Sequence, residues 1–467
     1  MDVPPLAVDR RSPVPLAVQL ADAMRAATAD GALQAGDRLP STRALAAALQ
    51  VSRTVTAAAY DQLLAEGWVE GRRGAGTFVV AVPAAGPQRA RPAAPGPARA
   101  AAIDLRAGRP CLEVFDRAAW RRAWRAAADD PPDGQPDPVG LATFRVAVVE
   151  HLLRHRGLPA DPGAVLATAG STAGVAELAR TLPGGARVAV EEPGYRRAAG
   201  ALAAAGLQVV PVRVDDEGLV VDALPAGLAA VVVTPAHQYP LGARLSAARR
   251  VALVARARTE GLLVIEDDYD GELRYDVAPL PLLAALGPDV VAHLGTASKL
   301  LTPTLGVGWL VAPPAVRSAV LDLRDRTGTR PARAGQRVFA ALAAHGDLGR
   351  HLRRLRRELS DRRGAVIDAV SGAGSAVCGD AAGAHVVVPL DDPGEERAVV
   401  GAAGERGVAL GGLAEHHAGP AAVAGVVIGY AGPSRVELDR ALRVVSEVLR
   451  RERRGIRPGG ARGRPTG

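Results

Sequence analysis

VVAHLGTASKLLTPTLGVGWLVA, residues 290–312, carries the pattern from which the architecture follows. Two apolar runs, 290–296 and 306–312, have the length of short buried strands. Between them stands Lys299, the only lysine in a chain of 467 residues. Every other strong base is arginine. A GC-rich genome, consistent with the heavy use of Ala, Gly and Pro, replaces lysine by arginine wherever either serves. A lysine that survives such bias points to chemistry arginine lacks: an amine that can lose its proton and form a Schiff base.

Similar runs recur upstream: ARVAVEE (186–192), GLQVVPVRV (206–214), AAVVVTP (229–235) and LLVIEDD (262–268). Amphipathic stretches such as LSAARRVALVARARTEG (245–261) lie between several of them. Continuous apolar strands alternating with helices predict an α/β domain, a mostly parallel sheet covered by helices on both faces. Downstream, residues from about 335 to 365 read as one long, arginine-rich helix. AGAHVVVPL (382–390) and AGVVIGYA (424–431) read as strands of a small C-terminal α/β subdomain.

Ahead of this domain lie two different textures. Residues 83–102, PAAGPQRARPAAPGPARAAA, hold almost nothing that builds a core and read as a linker. Residues 1–82 form a separate unit centred on DRLPSTRALAAALQVSRTVTAAAYDQLLAEGWVEGRRGAGTFV (37–79). Ser41 is placed to cap a helix through Leu45 and Leu49, Gln50 and Val51 make a turn, and Ser52 caps a second helix. Val55, Ala59 and Leu63 share that helix's inner face, while Arg53, Thr54, Thr56 and Ala57 are expected on its early outer face. The glycine-rich hairpin that follows carries Arg72 and Arg73 at its tip. Two helices joined by a tight turn, the second opening with an arginine, fit a helix-turn-helix with a wing.

Composition bounds the alternatives. With 48% hydrophobic and 23% charged residues the chain is globular, and no apolar run reaches the ~18 residues that span a bilayer. The N-terminus shows no signal-peptide core, and Cys111 and Cys378 make neither a disulfide framework nor a metal set. A cytoplasmic protein without metal or membrane partner is expected. The net charge of +8 is uneven. Residues 1–82 hold eight arginines against eight acids, whereas the tail 451–467, expected to be disordered, is net +5. DNA binding must therefore rest on placed arginines rather than bulk charge.

The stretch from PLAVQLADAMRAATADGALQAGDRLPSTR to GAGTFV resembles the winged helix of GntR-type regulators. That resemblance implies double-stranded DNA as partner, with contacts from Arg43, Arg53 and Thr54, and from a wing holding Arg72, Arg73 and Gly74. Residues 103–450 resemble the fold-type I aminotransferase domain of the MocR-type subfamily. The resemblance is carried by LGTASKLLTPTLGVGWL, VIEDDYDGELRY (264–275), TPAHQYPLG (234–242) and ATAGSTAGVAELAR (167–180). It implies pyridoxal 5'-phosphate (PLP) bound through Lys299. Asp267, or its neighbour Asp268, would pair with the pyridine nitrogen and Tyr269 with the phenolate oxygen. Ser171, Thr172 and Ser298 would hold the phosphate, with Tyr195 near the ring face and His237 and Tyr239 lining the pocket. Arg197 is a candidate for an effector carboxylate, or else a surface arginine, and His237 has a structural alternative.

The resemblance also implies a domain-swapped homodimer and an effector that is PLP or an amine. Some positions depart from the pattern. Gly306 stands where relatives carry a phosphate-binding arginine, Val427 where aminotransferases carry the arginine that clamps a carboxylate, Gln135 where a tyrosine is common and Thr172 where a glutamine is. These departures favour a sensor over a catalyst. They leave two alternatives: an aminotransferase with a DNA-binding appendage, and a PLP-free regulator that uses the large domain as a dimerisation scaffold.

Overall fold

A computed structural model describes residues 6–72, 74–80, 103–129, 131, 134, 137–275 and 280–455. The chain divides into two compact units, residues 1–97 and 98–467. The linker expected at 83–102, Arg73 and Gln135 lie outside the described residues, as does the tail beyond 455.

The first unit has helices α1 (Leu16–Ala29), α2 (Thr42–Ala48) and α3 (Arg53–Ala65), then strands β1 (Val69–Arg72) and β2 (Gly76–Val79), paired antiparallel. The caps are those the sequence placed: Ser41 accepts from the Ala44 N–H and Ser52 from the Val55 N–H. Gln50 takes the left-handed conformation, φ 53°, that turns the chain sharply between α2 and α3. Leu20, Leu45, Ala59, Tyr60 and Leu63 fill a small core. One expectation is corrected. Thr56 is fully buried, not outward-facing, and its hydroxyl donates to the carbonyls of Thr42 (2.9 Å) and Arg53 (3.0 Å). A hydroxyl that bonds backbone is as buriable as valine, so a small polar residue on an early helical turn does not report its own face.

The second unit starts with β3 (Ile103–Asp104), α4 (Arg117–Asp129) and α5 (Ala142–Arg156). It continues through β4 (Val165–Thr168), α6 (Ser171–Ala179), β5 (Arg187–Glu192), α7 (Arg196–Ala204), β6 (Gln208–Asp215), β7 (Gly218–Leu219) and β8 (Ala230–Val233). Next come α8 (Ala247–Glu260), β9 (Leu263–Asp268), α9 (Leu283–Leu286), β10 (Val291–Thr296), β11 (Gly308–Val311) and α10 (Pro314–Thr327). The order in the eight-stranded sheet is β4-β11-β10-β9-β8-β5-β6-β7. Strands β10, β9, β8, β5 and β6 run parallel, while β11 is antiparallel to both neighbours. Successive residues point to opposite faces. Val231 and Val233 enter one core with Val264 and Phe339, and Val232 enters the other with Ile265 and Leu294. Continuous apolar strands are therefore required, as the sequence pattern expected.

The remainder comprises α11 (Arg333–Ala344), α12 (Asp347–Ser371), β12 (His385–Leu390), α13 (Pro393–Glu405), β13 (Val408–Ala409), β14 (Gly411–Gly412), β15 (Ala424–Gly429) and α14 (Arg435–Gly455). The small sheet is ordered β12-β15-β14, and β13 pairs with β3. The single helix expected at 335–365 is two, broken at Gly346, which takes φ 66°. The apolar period continues across the break and so conceals it. The tail boundary also moves, because α14 carries residues 451–455.

Candidate functional site

The carboxyl ends of the parallel strands open into a cavity of about 610 Å³, the position where open α/β sheets place ligands. Lys299, Asp267, Tyr269, Ser171, Thr172, Ser298, Tyr195, Tyr239 and Arg197 all line it. His237 does not: it stands behind Tyr269, whose hydroxyl lies 3.1 Å from its Nδ1.

Lys299 leaves the turn after β10, and its Nζ donates to the Gly108 carbonyl at 2.6 Å. Burial lowers the lysine's pKa, opposed by the carboxylates of Asp270 and Asp267. A lowered pKa raises the share of nucleophilic free amine. Gly108 takes φ 102°, and a Cβ there would lie 3.6 Å from Nζ.

Asp267 and Asp268 end β9 and face opposite sides of the sheet. Asp268 is consumed by a bidentate pair with buried Arg156, at 2.7 and 2.8 Å. Asp267 is equally buried, and its Oδ1 has no hydrogen-bond partner. Burial pushes its carboxyl up to about 6, with Ser171's hydroxyl opposing the shift. An orphaned carboxylate oxygen aimed into a cavity is costly unless a ligand donor meets it. The structure therefore favours Asp267 over Asp268.

Helix α6 begins at Ser171 after Gly170, φ 125°. The amides of residues 171–173 precede the first intrahelical bond, Gly174 N–H to Gly170 O, and form an anion-binding end. Strand β11 can run beside this turn because residue 308 is glycine: a Cβ would sit 2.8 Å from the Gly170 Cα. Ser171's hydroxyl is engaged with Asp267, leaving its amide for an anion. The Thr172 hydroxyl lies 3.1 Å from the Tyr195 hydroxyl. Ser298 and Thr296 join through their hydroxyls at 3.0 Å. Gly306 ends a tight turn at φ 57° and does not line the cavity.

Tyr239 forms edge contacts with Tyr195 and Tyr269, ring centroids 5.7 and 5.9 Å apart. Asp270 lies 3.0 Å from His237 Nδ1. A carboxylate only accepts, so that nitrogen carries a proton, and the Tyr269 oxygen accepts from it too. The Tyr269 proton is thereby left for a ligand in the cavity.

Several lining residues escaped the sequence reading. Thr296 and Asp270 sit inside quoted motifs and were within reach. Asp104, Arg106, Arg109, His385 and Glu415 come from distant segments, with nothing local to flag them. Arg106 and Arg109 both pair with Asp104, at 2.9 and 2.6 Å. Burial lowers His385 to about 3, so it stands neutral. Val427 lies in the cavity wall.

In the first unit Arg43, Arg53 and Thr54 are exposed. Gly74 turns the hairpin at φ 73°. Arg72 is occupied: it bonds Glu70 at 2.8 Å, and its guanidinium lies 4.5 Å above the Phe78 ring. Among the described residues no helix is long and apolar enough to cross a membrane, and no group of acids, histidines and cysteines is set to hold a metal.

Comparison with known proteins matches both units. Residues 16–79 match the family of bacterial regulatory proteins of the gntR type, and residues 101–444 match aminotransferase class I and II. The chain is 36% identical over 453 residues to the HTH-type pyridoxine biosynthesis transcriptional regulator PdxR of Corynebacterium glutamicum, covering 95% of this chain and 98% of that one. It is 32% identical to the probable rhizopine catabolism regulatory protein MocR of Rhizobium meliloti, covering 77% and 78%. Among solved structures, the kynurenine aminotransferase of Pyrococcus horikoshii superposes with a TM-score of 0.69 at 24% identity, covering 76% of this chain and 92% of that one. An archaeal alanine:glyoxylate aminotransferase gives 0.70 at 22%, covering 75% and 91%. At these identities the two structures speak to the fold.

Proposed function

The chain belongs to the MocR-type GntR transcription regulators, and from that premise we propose that its large unit binds PLP through Lys299 and reports PLP availability to the winged helix. The observation that carries this reading is one cavity that brings together a depressed lysine amine, an orphaned buried carboxylate and a helix N-terminus. These suit the aldehyde, the ring nitrogen and the phosphate of PLP. When bound, PLP supplies an electrophilic carbon for amines. Asp267 would hold the ring-nitrogen proton, Tyr269 would donate to the phenolate oxygen, and Tyr195 would flank the ring with Tyr239 beside it. Amides 171–173, with Thr172, Thr296 and Ser298, would hold the phosphate.

This phosphate site rests on amides and hydroxyls, with Gly306 in place of the arginine expected there. Lacking a bidentate charge-assisted contact, it suits reversible occupancy. A sensor of PLP itself needs that, and the similarity to a regulator named for pyridoxine biosynthesis agrees. An amine that reacts with bound PLP is the second effector class, with Arg197 at the cavity mouth for a carboxylate. Val427 supplies no carboxylate clamp, which argues against steady-state transamination as the task.

Arg53 and Thr54 would reach base edges in the major groove of double-stranded DNA, with Arg43 on phosphate and the Gly74 turn as the wing tip. The effector acts by binding two states of a homodimer with different affinity. The test is an electrophoretic shift of the DNA upstream of the protein's own gene, with and without PLP. A PLP-dependent shift lost in Lys299→Ala supports the reading. A shift indifferent to PLP, in a protein that takes up none, overturns it.

A further inference from the structure

The sequence places positive charge at the hairpin tip on Arg72 and Arg73; in the structure Arg72 is taken up by Glu70, and a further cation, Arg38, stands beside the wing. Residues 36–39 pair along β2 as a third strand: Gly36 N–H donates to Val79 O at 2.8 Å, Val79 N–H to Asp37 O at 2.9 Å and Leu39 N–H to Thr77 O at 2.8 Å. Arg38 lies opposite Phe78 in that pairing and is exposed. Its guanidinium rests on the wing strand at Gly76, where a Cβ would come within 3.0 Å of Nε. Glycine leaves room for the guanidinium there and also supplies the backbone's φ of 111°. Among the described residues no carboxylate pairs with Arg38. Arg72, by contrast, faces Glu70 at 2.7 Å, so the two present almost no net charge to an approaching polyanion.

The placement also suits a DNA backbone. Pro40 O accepts from the Tyr60 hydroxyl at 2.8 Å and Thr42 O from the Thr56 hydroxyl at 2.9 Å. Residues 38–43 are thereby clamped along α3 as a rigid strip, with Arg38 at its wing end and Arg43 at its α2 end.

We propose that Arg38, rather than Arg72, is a phosphate-binding cation of the wing, so that the wing meets duplex DNA by its added strand. This rests on the reading of the first unit as DNA-binding. A protein that loses one phosphate contact loses about 0.9 from the slope of log affinity against log salt. That is roughly a threefold smaller loss of affinity between 50 and 200 mM salt for each contact removed. The probe is a random-sequence 30-base-pair duplex, titrated with full-length protein across that range.

Arg38→Gln is expected to flatten the slope by about 0.9 per winged helix bound, with Arg38→Lys restoring it. Arg72→Gln is expected to leave it unchanged. Glu70→Gln frees Arg72 and is expected to steepen it, a gain that a misfolded wing cannot produce. A slope that responds to Arg72→Gln and not to Arg38→Gln, or to neither, overturns the assignment. So does Glu70→Gln without effect. A wild-type protein that binds no duplex at any salt fails the DNA-binding reading itself.

Discussion

Replacing Asp267 with asparagine should move stability and cofactor affinity in opposite directions. Without a ligand, Asp267 is a buried carboxyl with one orphaned oxygen, raised from 3.8 to about 6 by burial. For an acid, a raised folded-state pKa means that ionisation opposes folding. The penalty is absent below pH ~4, grows as pH rises through about 6, and is complete above it. A shift of that size corresponds to about 3 kcal/mol at pH 7.5. Asparagine never ionises and still accepts from Ser171. The cofactor-free variant should therefore gain up to about 3 kcal/mol at pH 7.5, and little near pH 4.

With PLP the sign reverses, because a hydrogen bond to a charged partner is worth about 1.5–3 kcal/mol. The variant should bind PLP roughly 10- to 150-fold more weakly. Thermal melting of the cofactor-free protein at two pH values measures the first effect, and an absorbance titration with PLP the second. Asp268→Asn is the contrast. It strands buried Arg156 and should destabilise by about 3–5 kcal/mol at pH 7.5. An Asp267→Asn protein that melts lower than wild type, or binds PLP as tightly, would refute the reasoning.

Lys299→Arg keeps a cation but removes the chain's only lysine amine; the absorbance band formed with PLP should disappear while melting stays near wild type. Arg53→Ala should weaken binding to an operator by about 1–3 kcal/mol, and competition with random duplex should show that specificity falls with it. Gly306→Arg meets open space at φ 57°. It should cost about 1 kcal/mol of stability yet tighten PLP binding roughly tenfold, read by melting and by titration.

The large-domain fold was legible because its strands are buried on both faces and so appear as unbroken apolar runs. Strand β4 was overlooked: Val165–Thr168 runs directly into the glycine-rich turn before α6, which dominates that stretch. The Gly346 break was hidden because helices on either side share one apolar period. In the pocket, local motifs delivered Lys299, Tyr269 and Thr172. They could not choose between Asp267 and Asp268, since adjacent strand residues face opposite ways and both faces are buried. Arg156, 112 positions away, takes up Asp268 and leaves Asp267 lining the cavity. Gly108, which accepts the Lys299 bond, is 191 positions away and carries no local signal. In the wing, an arginine at the tip drew the eye, while the pairing of residues 36–39 with β2 is a tertiary fact that no period in the sequence announces.

A chain with one lysine permits an unusually direct test of the central claim. Incubation with PLP, reduction with borohydride and peptide mapping would fix any linkage to an amine irreversibly. The only amines on offer are the Lys299 side chain and the N-terminus. A pyridoxyl group on the peptide that contains Lys299, absent from Lys299→Ala and much reduced in Asp267→Asn, is the expected result. An unmodified Lys299, or label confined to the N-terminus, would contradict the account.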